Sequence, residues 1–288
     1  MSPTVDRAPA PPTSLVVMAA GLGSRFGGTK QLAEVGPAGE AFCDFAIADA
    51  VAAGIDRVVM VVRTDILDDV RRHVDARHPD VDVRYVCQDA HGPRRAKPWG
   101  TGHAVLVAAP EVPGPFLVCN ADDFYGRRTF ELLADGLGDL ADDRARLAGF
   151  RLDHTLPASG EVSRGVCRVV DGRLTGLVEH HGIGRRADGS ITATDPPAEL
   201  PGDTVVSMNV WAFPRVVFDH LGEGFERFLA DHGDDPGVEY LLPSVVDTLR
   251  VRGVLEVEVV PTSATWVGVT NPDDLDVARE RIAELVGR

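Results

Sequence analysis

The first half of the chain alternates between short apolar segments and longer segments in which apolar residues recur with helical spacing. The apolar segments predict buried strands over residues 15–20, 57–62, 81–87 and 116–119. The other segments predict helices over residues 42–53, 65–77 and 101–109. This alternation predicts an α/β fold with a doubly wound, mostly parallel, Rossmann-like sheet. Such sheets bind ligands beyond the carboxyl ends of their strands, so the residues that follow each strand are the first candidates for function.

The pattern changes near residue 149. Residues 165–170 and 173–179 predict two short strands joined by a turn at Asp171 and Gly172, and residues 204–213 predict another strand. Residues 182–202, rich in Gly, Pro and Asp, predict an exposed loop. Helices are expected from Pro214, from Val238 and over residues 273–286, with a strand over residues 254–261. We therefore expect a disordered tail at residues 1–13 and a single domain at 14–288, with a small β-rich substrate lobe at about 149–213.

A glycine-rich segment with two cations, Arg25 and Lys30, follows the first predicted strand. Because glycine has no Cβ, the backbone N–H groups of such a segment can approach a ligand closely, and with the cations they suit a nucleoside triphosphate. The dinucleotide-binding fingerprint would need its third glycine one residue earlier, and a Walker loop would need Ser or Thr after Lys30. The segment therefore predicts a triphosphate site of another kind, built on Gly21, Gly23, Gly27 and Gly28.

Two consecutive carboxylates, Asp122 and Asp123, follow the strand predicted over residues 116–119. They are expected at the same sheet edge as the glycine-rich segment. Carboxylates beside a triphosphate commonly hold Mg²⁺, which prefers oxygen ligands. We therefore predict that Asp122 binds metal. Asp123 has two open interpretations, a second ligand or the cap of a helix that begins at Arg127.

A third segment, at the end of the strand predicted over residues 81–87, is suited to contact a nucleobase. Gln88 offers a side-chain amide, and Gly100 with Gly102 would let a flat ring lie against the backbone. Thr101 opens the predicted helix, so an ordinary N-cap is an equally good interpretation of that residue. His103 is expected to pack on the inner face of the helix rather than to act in catalysis.

The chain has 288 residues and a formal net charge of -15 at pH 7. Nucleic acids and anionic membrane surfaces would be repelled by this charge, so we expect neither as a partner. The sequence contains no run of about 18 apolar residues, so it predicts no membrane-spanning helix. The four cysteines form no Cys-x-x-Cys pair, which favours a reduced, cytoplasmic setting.

These segments together resemble the sugar-1-phosphate nucleotidyltransferase family. The family signature Ala-Ala-Gly-x-Gly-Ser/Thr-Arg…Lys is matched by Ala19, Ala20, Gly21, Gly23, Ser24, Arg25 and Lys30. The run from Gly100 to Ala104, with Gln88 before it, is similar to the base-contacting stretch of N-acetylglucosamine-1-phosphate uridylyltransferase, and the chain also resembles glucose-1-phosphate thymidylyltransferases. The resemblance implies a fold of the nucleotide-diphospho-sugar transferase type.

The resemblance also implies an activity, the Mg²⁺-dependent transfer of a nucleoside monophosphate from an NTP to a sugar-1-phosphate-like acceptor with release of pyrophosphate. Arg25 would hold the β- and γ-phosphates, Lys30 would lie near the α-phosphate, and Asp122 would bind the metal. The acceptor sugar would be contacted by Gly165, Glu179 and Asn209. The nucleotide would be bound by Ala20, Gly21, Gly23, Ser24, Gln88, Gly100 and Thr101.

The chain departs from the family pattern in two places. Gly268 stands where the family often has a second metal-binding Asp, which leaves Asp123, Thr270 and Asn271 as substitutes. The family's Glu-Lys-Pro is replaced by Glu179-His180-His181, so the lysine that holds the acceptor phosphate is missing. The cations that could replace it are Arg164 and Lys97.

Other functions are open on the sequence alone. The same fold could act on a different phosphorylated acceptor, such as phosphocholine, a phosphonate or a molybdopterin. A non-catalytic relative that senses a nucleotide sugar is an alternative of another class. The nucleobase and the acceptor are not determined by these residues, and the sequence is compatible with a homo-oligomer.

Overall fold

The computed structural model describes residues 11–21, 30–157, 160–269 and 274–287. Its strands are β1 Ser14–Met18, β2 Arg57–Val62, β3 Asp82–Cys87, β4 Phe116–Asn120, β5 Asp123–Phe124, β6 Arg144–Arg151, β7 Val162–Val170, β8 Arg173–Arg185, β9 Ile191–Thr194, β10 Pro197–Glu199, β11 Val205–Phe213, β12 Glu256–Pro261 and β13 Val267–Gly268. Its α-helices are α1 Phe42–Ala52, α2 Leu67–Arg77, α3 Thr101–Val107, α4 Arg127–Ala134, α5 Val217–His232, α6 Leu242–Val251 and α7 Leu275–Val286.

The parallel part of the main sheet has the strand order β3-β2-β1-β4. Val16 of β1 pairs in parallel register with Val59 of β2 on one side and with Val118 of β4 on the other. Beyond β4 the sheet is mixed, because β11 runs antiparallel to both β4 and β6 while β12 runs parallel to β6. The predicted parallel arrangement therefore describes β1 to β4 but not β11. A parallel neighbour needs a crossover connection, whereas β11 enters the sheet from the antiparallel strands of the lobe.

Helices cover both faces of this sheet. In β1 the side chains alternate, so that Leu15 and Val17 pack with α1, α2 and α4 on one face. Val16 and Met18 pack with α3, α5 and α6 on the other face. A strand that is covered on both sides has no solvent-facing positions, which is why its sequence is a continuous apolar run. Each large apolar side chain buried in this way stabilises the fold by roughly 1.5–3 kcal/mol.

The β-rich lobe contains more strands than the sequence predicts. β7 and β8 form an antiparallel hairpin with its turn at the predicted position. Residues 182–202, predicted as an exposed loop, instead contain the end of β8 and the antiparallel pair β9 and β10. That prediction was wrong because the segment, although rich in Gly, Pro and Asp, also contains a few apolar side chains that are buried in the core. Ile191, Ala193 and Leu200 are all 9% exposed or less.

A third apolar cluster lies next to the candidate carboxylates and contains residues from α1, β5, β13 and α7. β5 pairs antiparallel with β13, which brings Val267 opposite Phe124 and Gly268 opposite Asp123. Ile282 of α7 packs in the same cluster. None of the described helices has both the length and the apolar content needed to cross a bilayer.

Candidate functional site

A cavity of about 950 Å³ lies beyond the carboxyl end of β4, between that strand, the β-rich lobe and the start of α6. Seven of the candidate residues line it, namely Thr101 of α3, Asp122 after β4, Asp123 of β5, Arg164 and Gly165 of β7, Glu179 of β8 and Asn209 of β11. The structure thus brings Thr101, predicted for the base, together with residues predicted for the metal and the acceptor. Gln88 and Gly100, also predicted for the base, are not among the lining residues. The sequence analysis did not single out other lining residues, including Asn120, Ser163, Ser207, Met208 and Asp247.

The start of the glycine-rich segment is held in place beside this site. Ala20 is buried and Gly21 is exposed, and neither is among the residues that line the cavity. The Gly21 carbonyl accepts hydrogen bonds from Gln31 Nε2 at 2.7 Å and from Arg63 Nη1 at 2.6 Å. The backbone of Lys30 begins a short helical turn. The predicted roles of Gly23, Ser24, Arg25, Gly27 and Gly28 concern residues outside the described ranges, and they stay predictions.

Asp122 and Asp123 occupy different environments although they are adjacent. Both line the cavity, but Asp122 is partly buried whereas Asp123 is only 9% exposed. Asp123 Oδ2 accepts hydrogen bonds from Asn120 Nδ2 at 2.8 Å and from Tyr125 Oη at 3.0 Å. Burial, followed by the charge of Asp122, raises the pKa of Asp123 to about 7. The N-cap of α4 is Gly126 and receives no side-chain bond, so the interpretation of Asp123 as the cap of that helix is wrong.

A chain of side-chain amides connects β11 to these carboxylates. Asn209 Nδ2 donates to Asn120 Oδ1 at 2.9 Å, and Trp211 Nε1 donates to Asn209 Oδ1 at 2.9 Å. Asn209 has a φ of 60°, and the register between β11 and β6 shifts between Ser207 and Trp211. Such an irregularity turns side chains that would otherwise alternate strictly. Asn209 is therefore held in the cavity wall, where it also orients the amide that donates to Asp123.

The segment predicted to contact the base is fixed against the loop before α6. Gln88 is 3% exposed, and its Nε2 donates to the Gly100 carbonyl at 2.9 Å. The N–H of Leu242 donates to Thr101 Oγ1 at 2.9 Å, and the N–H of Gly102 donates to the Tyr240 carbonyl at 2.8 Å. The N-cap of α3 is Gly100 and no side chain caps the helix, so the interpretation of Thr101 as an ordinary N-cap is wrong. The Thr101 hydroxyl instead joins two segments that are distant in sequence.

His103, predicted to be packed, is 2% exposed. Its Nδ1 lies 3.3 Å from Gln88 Nε2, as suits a neutral imidazole that accepts from the amide. Burial, with a smaller effect of His91, lowers the pKa of His103 to about 4. The neutral ring therefore helps to hold Gln88 against Gly100.

The stability of the protein is expected to fall as His103 becomes protonated. An unfolded histidine binds its proton near pH 6.5, above the folded pKa, so the unfolded state gains protons first as the pH falls and the stabilisation is lost between about pH 6.5 and about pH 4. Between about pH 7 and about pH 4.5 this group should remove roughly 2 kcal/mol from the free energy of unfolding. Urea unfolding at both pH values should show a smaller loss for His103→Asn than for the wild type. An equal loss in both proteins would contradict this assignment.

Of the two cations predicted to replace the missing lysine, Arg164 lines the cavity and Lys97 does not. Lys97 Nζ is paired with Glu239 Oε2 at 2.9 Å. Arg164 lies on β7 with 9% exposure, and its guanidinium carbon is 4.6 Å from the centre of the Trp266 ring. The geometry therefore favours Arg164 over Lys97 for any contact with a ligand in this cavity.

Gly268 provides the space that Trp266 and Asp123 occupy. A Cβ at position 268 would lie 2.2 Å from the Trp266 ring and 2.8 Å from Asp123 Oδ1. An aspartate at this position, as the family often has, would need the indole to move. Three residues were proposed as substitutes for the second metal ligand. Of these, Asp123 lies next to position 268, where the family often has its second aspartate. Thr270 and Asn271 lie outside the described residues.

Replacing Gly268 with Ala is expected to destabilise the protein by about 1–3 kcal/mol, because the new methyl group would overlap the Trp266 ring and lie too close to the buried Asp123 carboxylate. Thermal unfolding followed by circular dichroism would measure the change. Gly138→Ala is the matched control, since a Cβ there meets nothing within 4 Å and no positive φ is involved. A Gly268→Ala variant as stable as Gly138→Ala would show that the indole moves aside without cost.

Comparisons with known proteins agree with this geometry. Residues 15–150 match the family model of the MobA-like NTP transferase domain. A solved structure from Bacillus anthracis, described as a glucose-1-phosphate thymidylyltransferase in complex with sucrose, is similar with a TM-score of 0.66 and 13% sequence identity, covering 94% of this chain and 95% of that one. The inositol-1-phosphate CTP transferase from T. maritima is similar with a TM-score of 0.63 and 16% identity, covering 94% and 96%.

A comparison with curated protein sequences finds no significant match. At these identities the two structural likenesses establish the fold, while the family model describes the segment that contains the glycine-rich loop and both carboxylates. The family match and the structural likenesses confirm the resemblance seen in the sequence motifs. Residues 15–150 match the MobA-like NTP transferase domain, and the chain, which resembles the sugar-phosphate nucleotidyltransferase family in its motifs, has the fold of these two solved structures.

Proposed function

We propose that this protein transfers a nucleoside monophosphate from an NTP to a sugar-1-phosphate-like acceptor and releases pyrophosphate. One observation carries the proposal. Residues predicted for the base, the metal and the acceptor line a single cavity at the carboxyl end of β4, with Thr101 and Asp122 on the side of the sheet and Gly165, Glu179 and Asn209 on the side of the lobe. That arrangement supports a site at which two substrates meet.

In the proposed reaction, an oxygen of the acceptor phosphate attacks the α-phosphorus of the NTP in line. A new P–O bond forms, the bond from the α-phosphorus to the β-phosphate oxygen breaks, and pyrophosphate leaves with that electron pair. The attacking oxygen is already anionic, so no general base is needed, and the protein contributes mainly by positioning and by stabilising charge. Arg25 would stabilise the leaving pyrophosphate, and Lys30 would lie near the α-phosphate.

The donor set of the cavity fits Mg²⁺. Asp122 and the more deeply buried Asp123 both line the cavity, and the described residues contain no group of three or more His, Cys, Asp or Glu that would suit a fully protein-bound metal. Mg²⁺ commonly takes one or two carboxylates and completes its shell with water and substrate phosphates. When bound, the ion would reduce the repulsion between the two phosphate groups. Asp122 would be its ligand, and Asn120 and Tyr125 would keep Asp123 in place behind it.

The base-contacting side of the site is preorganised by its own hydrogen bonds. Gln88 and His103 fix the Gly100 carbonyl, and Thr101 and Gly102 are bonded to the loop before α6. A base that enters would therefore meet a fixed surface. The similar structures are described as a thymidylyltransferase and a CTP transferase. These descriptions, together with the resemblance to uridylyltransferases, make a pyrimidine triphosphate the first substrate to test.

The test is a matrix of triphosphates against phosphorylated acceptors, scored by released pyrophosphate in the presence of Mg²⁺. CTP, UTP, dTTP, ATP and GTP would each be combined with glucose-1-phosphate, N-acetylglucosamine-1-phosphate, inositol-1-phosphate and phosphocholine. We expect turnover with at least one pyrimidine triphosphate and a sugar or polyol phosphate. If no pair releases pyrophosphate while calorimetry detects binding of a nucleotide sugar, the protein is a sensor rather than a transferase.

A further inference from the structure

Arg164 is a buried cation without a carboxylate partner among the described residues. Its hydrogen bonds to other described residues all go to uncharged oxygens, with Nε 3.3 Å from Thr155 Oγ1, Nη2 2.6 Å from the Thr155 carbonyl and Nη1 2.8 Å from the Ser163 carbonyl. A guanidinium has five N–H donors, so these bonds leave two of them for another acceptor. Burying a charge without a counter-charge is costly, and such groups are normally paired. A ligand that carries a negative charge would supply the missing counter-charge of Arg164 when it binds.

The guanidinium is oriented by its surroundings. The Trp266 ring lies 4.6 Å from it on one side, in contact by a cation–π interaction. Burial lowers the pKa of Arg164 to about 10, and the charges of Asp123 and Glu179 oppose that shift, so the group stays charged at neutral pH. Within the described part of the chain, Arg164 forms no ion pair with either carboxylate, and they act on it only through their charge. Arg164 is thus preorganised toward the cavity that it lines.

The position of Arg164 in the fold indicates which of the two proposed substrates it would contact. It follows Ser163 and precedes Gly165 on β7, in the lobe that supplies Glu179 to the same cavity. The residues predicted for the triphosphate lie after β1, on a different strand of the sheet. An anion bound by Arg164 would therefore belong to the molecule held by the lobe.

We propose that Arg164 binds the anionic group of the acceptor, a phosphate in the proposed reaction, through a forked pair of N–H donors. This inference rests on the proposed function for the identity of the anion. The guanidinium exchanges no proton and forms no covalent bond. It holds the phosphate whose oxygen attacks, and Thr155 and Trp266 hold the guanidinium. Hydrogen bonds to charged groups of this kind correspond to roughly a tenfold or greater change in affinity.

The first test does not need turnover. Inorganic phosphate would be titrated by calorimetry into the nucleotide-free wild type, into Arg164→Gln and into the matched control Arg168→Gln, which changes an exposed arginine on the same strand. We expect Arg164→Gln to weaken phosphate binding at least tenfold and Arg168→Gln to change it less than twofold. Arg25→Gln, measured in parallel, shows how much of the measured binding is due to phosphate at the glycine-rich segment. It should not change the affinity for phosphate at Arg164.

Phosphate affinity that is unchanged in Arg164→Gln, or undetectable in the wild type at millimolar phosphate, would overturn the proposal. If Arg164→Gln does not unfold cooperatively, Arg164→Lys decides instead, because it keeps the charge but cannot form the fork. It should still weaken binding severalfold, and wild-type affinity in Arg164→Lys would also contradict the forked contact.

The second test uses the acceptor found in the substrate matrix. Arg164→Gln should raise the KM of the acceptor at least tenfold while the KM of the NTP changes less than twofold. A rise in both constants would indicate a general structural role and would count against the proposal. If no pair turns over, the proposed function fails, whereas the phosphate titration still shows whether Arg164 binds an anion.

Discussion

Replacing Asp122 with Asn is expected to lower kcat for pyrophosphate release by about 10³-fold, with the protein still folded. Asp122 is the partly buried carboxylate that lines the cavity directly after β4, and the substitution removes its charge with almost no change of shape. A preorganised charge contact at a reacting centre contributes about 10²–10³-fold, and loss of a metal ligand adds to that. Steady-state rates over a range of Mg²⁺ concentrations would measure the effect.

Asp247→Asn is the matched control for this experiment. Asp247 also lines the cavity, but it lies on α6 and pairs with Arg250 at 2.8 Å. Its replacement should change kcat less than twofold. Asp122→Asn with a wild-type rate and wild-type Mg²⁺ dependence would show that the metal ligand lies elsewhere. Circular dichroism and thermal unfolding of both variants would confirm that a loss of rate is not a loss of fold.

Asp44→Asn is expected to reduce the free energy of unfolding by about 3 kcal/mol. Asp44 in α1 is 3% exposed, and its carboxylate accepts from the N–H of Ala41 at 2.7 Å and lies 2.8 Å from His73 Nε2 and 3.1 Å from His78 Nε2. It therefore joins α1 to α2 on one face of the sheet. An amide cannot accept all of these bonds, and it leaves the nearby Arg77 without its counter-charge. Urea unfolding at neutral pH would measure the difference.

The pH dependence of the same variant gives a second check. Burial alone would raise the pKa of Asp44, but the hydrogen bonds from His78, His73 and Ala41 hold it below its ordinary value. A carboxyl whose folded pKa is depressed stabilises the protein above its unfolded pKa, and that stabilisation is lost as the pH falls through the folded pKa. Wild type and Asp44→Asn should therefore converge in stability below about pH 4. Asp69→Asn, an exposed carboxylate on α2, should differ from wild type by less than about 0.5 kcal/mol.

The sequence predicts the strands best where the local pattern of apolar residues matches their burial in the structure. Strands β1, β2 and β4 are buried on both faces, so their apolar runs stand out, and β2 matches the predicted residues 57–62. Strand β3, at the edge of the sheet, is less buried but was predicted as well. The residues after those strands could then be placed at one sheet edge, which is why Asp122 and Thr101 were predicted for the cavity that they line. The roles of these residues remain predictions until the variants are measured.

Other features depend on contacts that local patterns do not encode. β6 was missed because Arg144, Arg146 and Arg151 interrupt its apolar residues, although the strand lies between β11 and β12. The bond between Asn209 and Asn120 joins positions 89 residues apart. The stacking of Arg164 on Trp266 likewise follows only from the folded arrangement of β7 and β13.

Strand β11 belongs to two parts of the molecule at once. Its first residues pair with β7 through Val206, and its last residues pair with β4 through Trp211. A hinge motion of the lobe as a rigid body would have to break main-chain bonds that complete the central sheet. We therefore expect the opening of the cavity to be set when the chain folds, so that the proposed acceptors would be discriminated by whether they fit an opening of constant size.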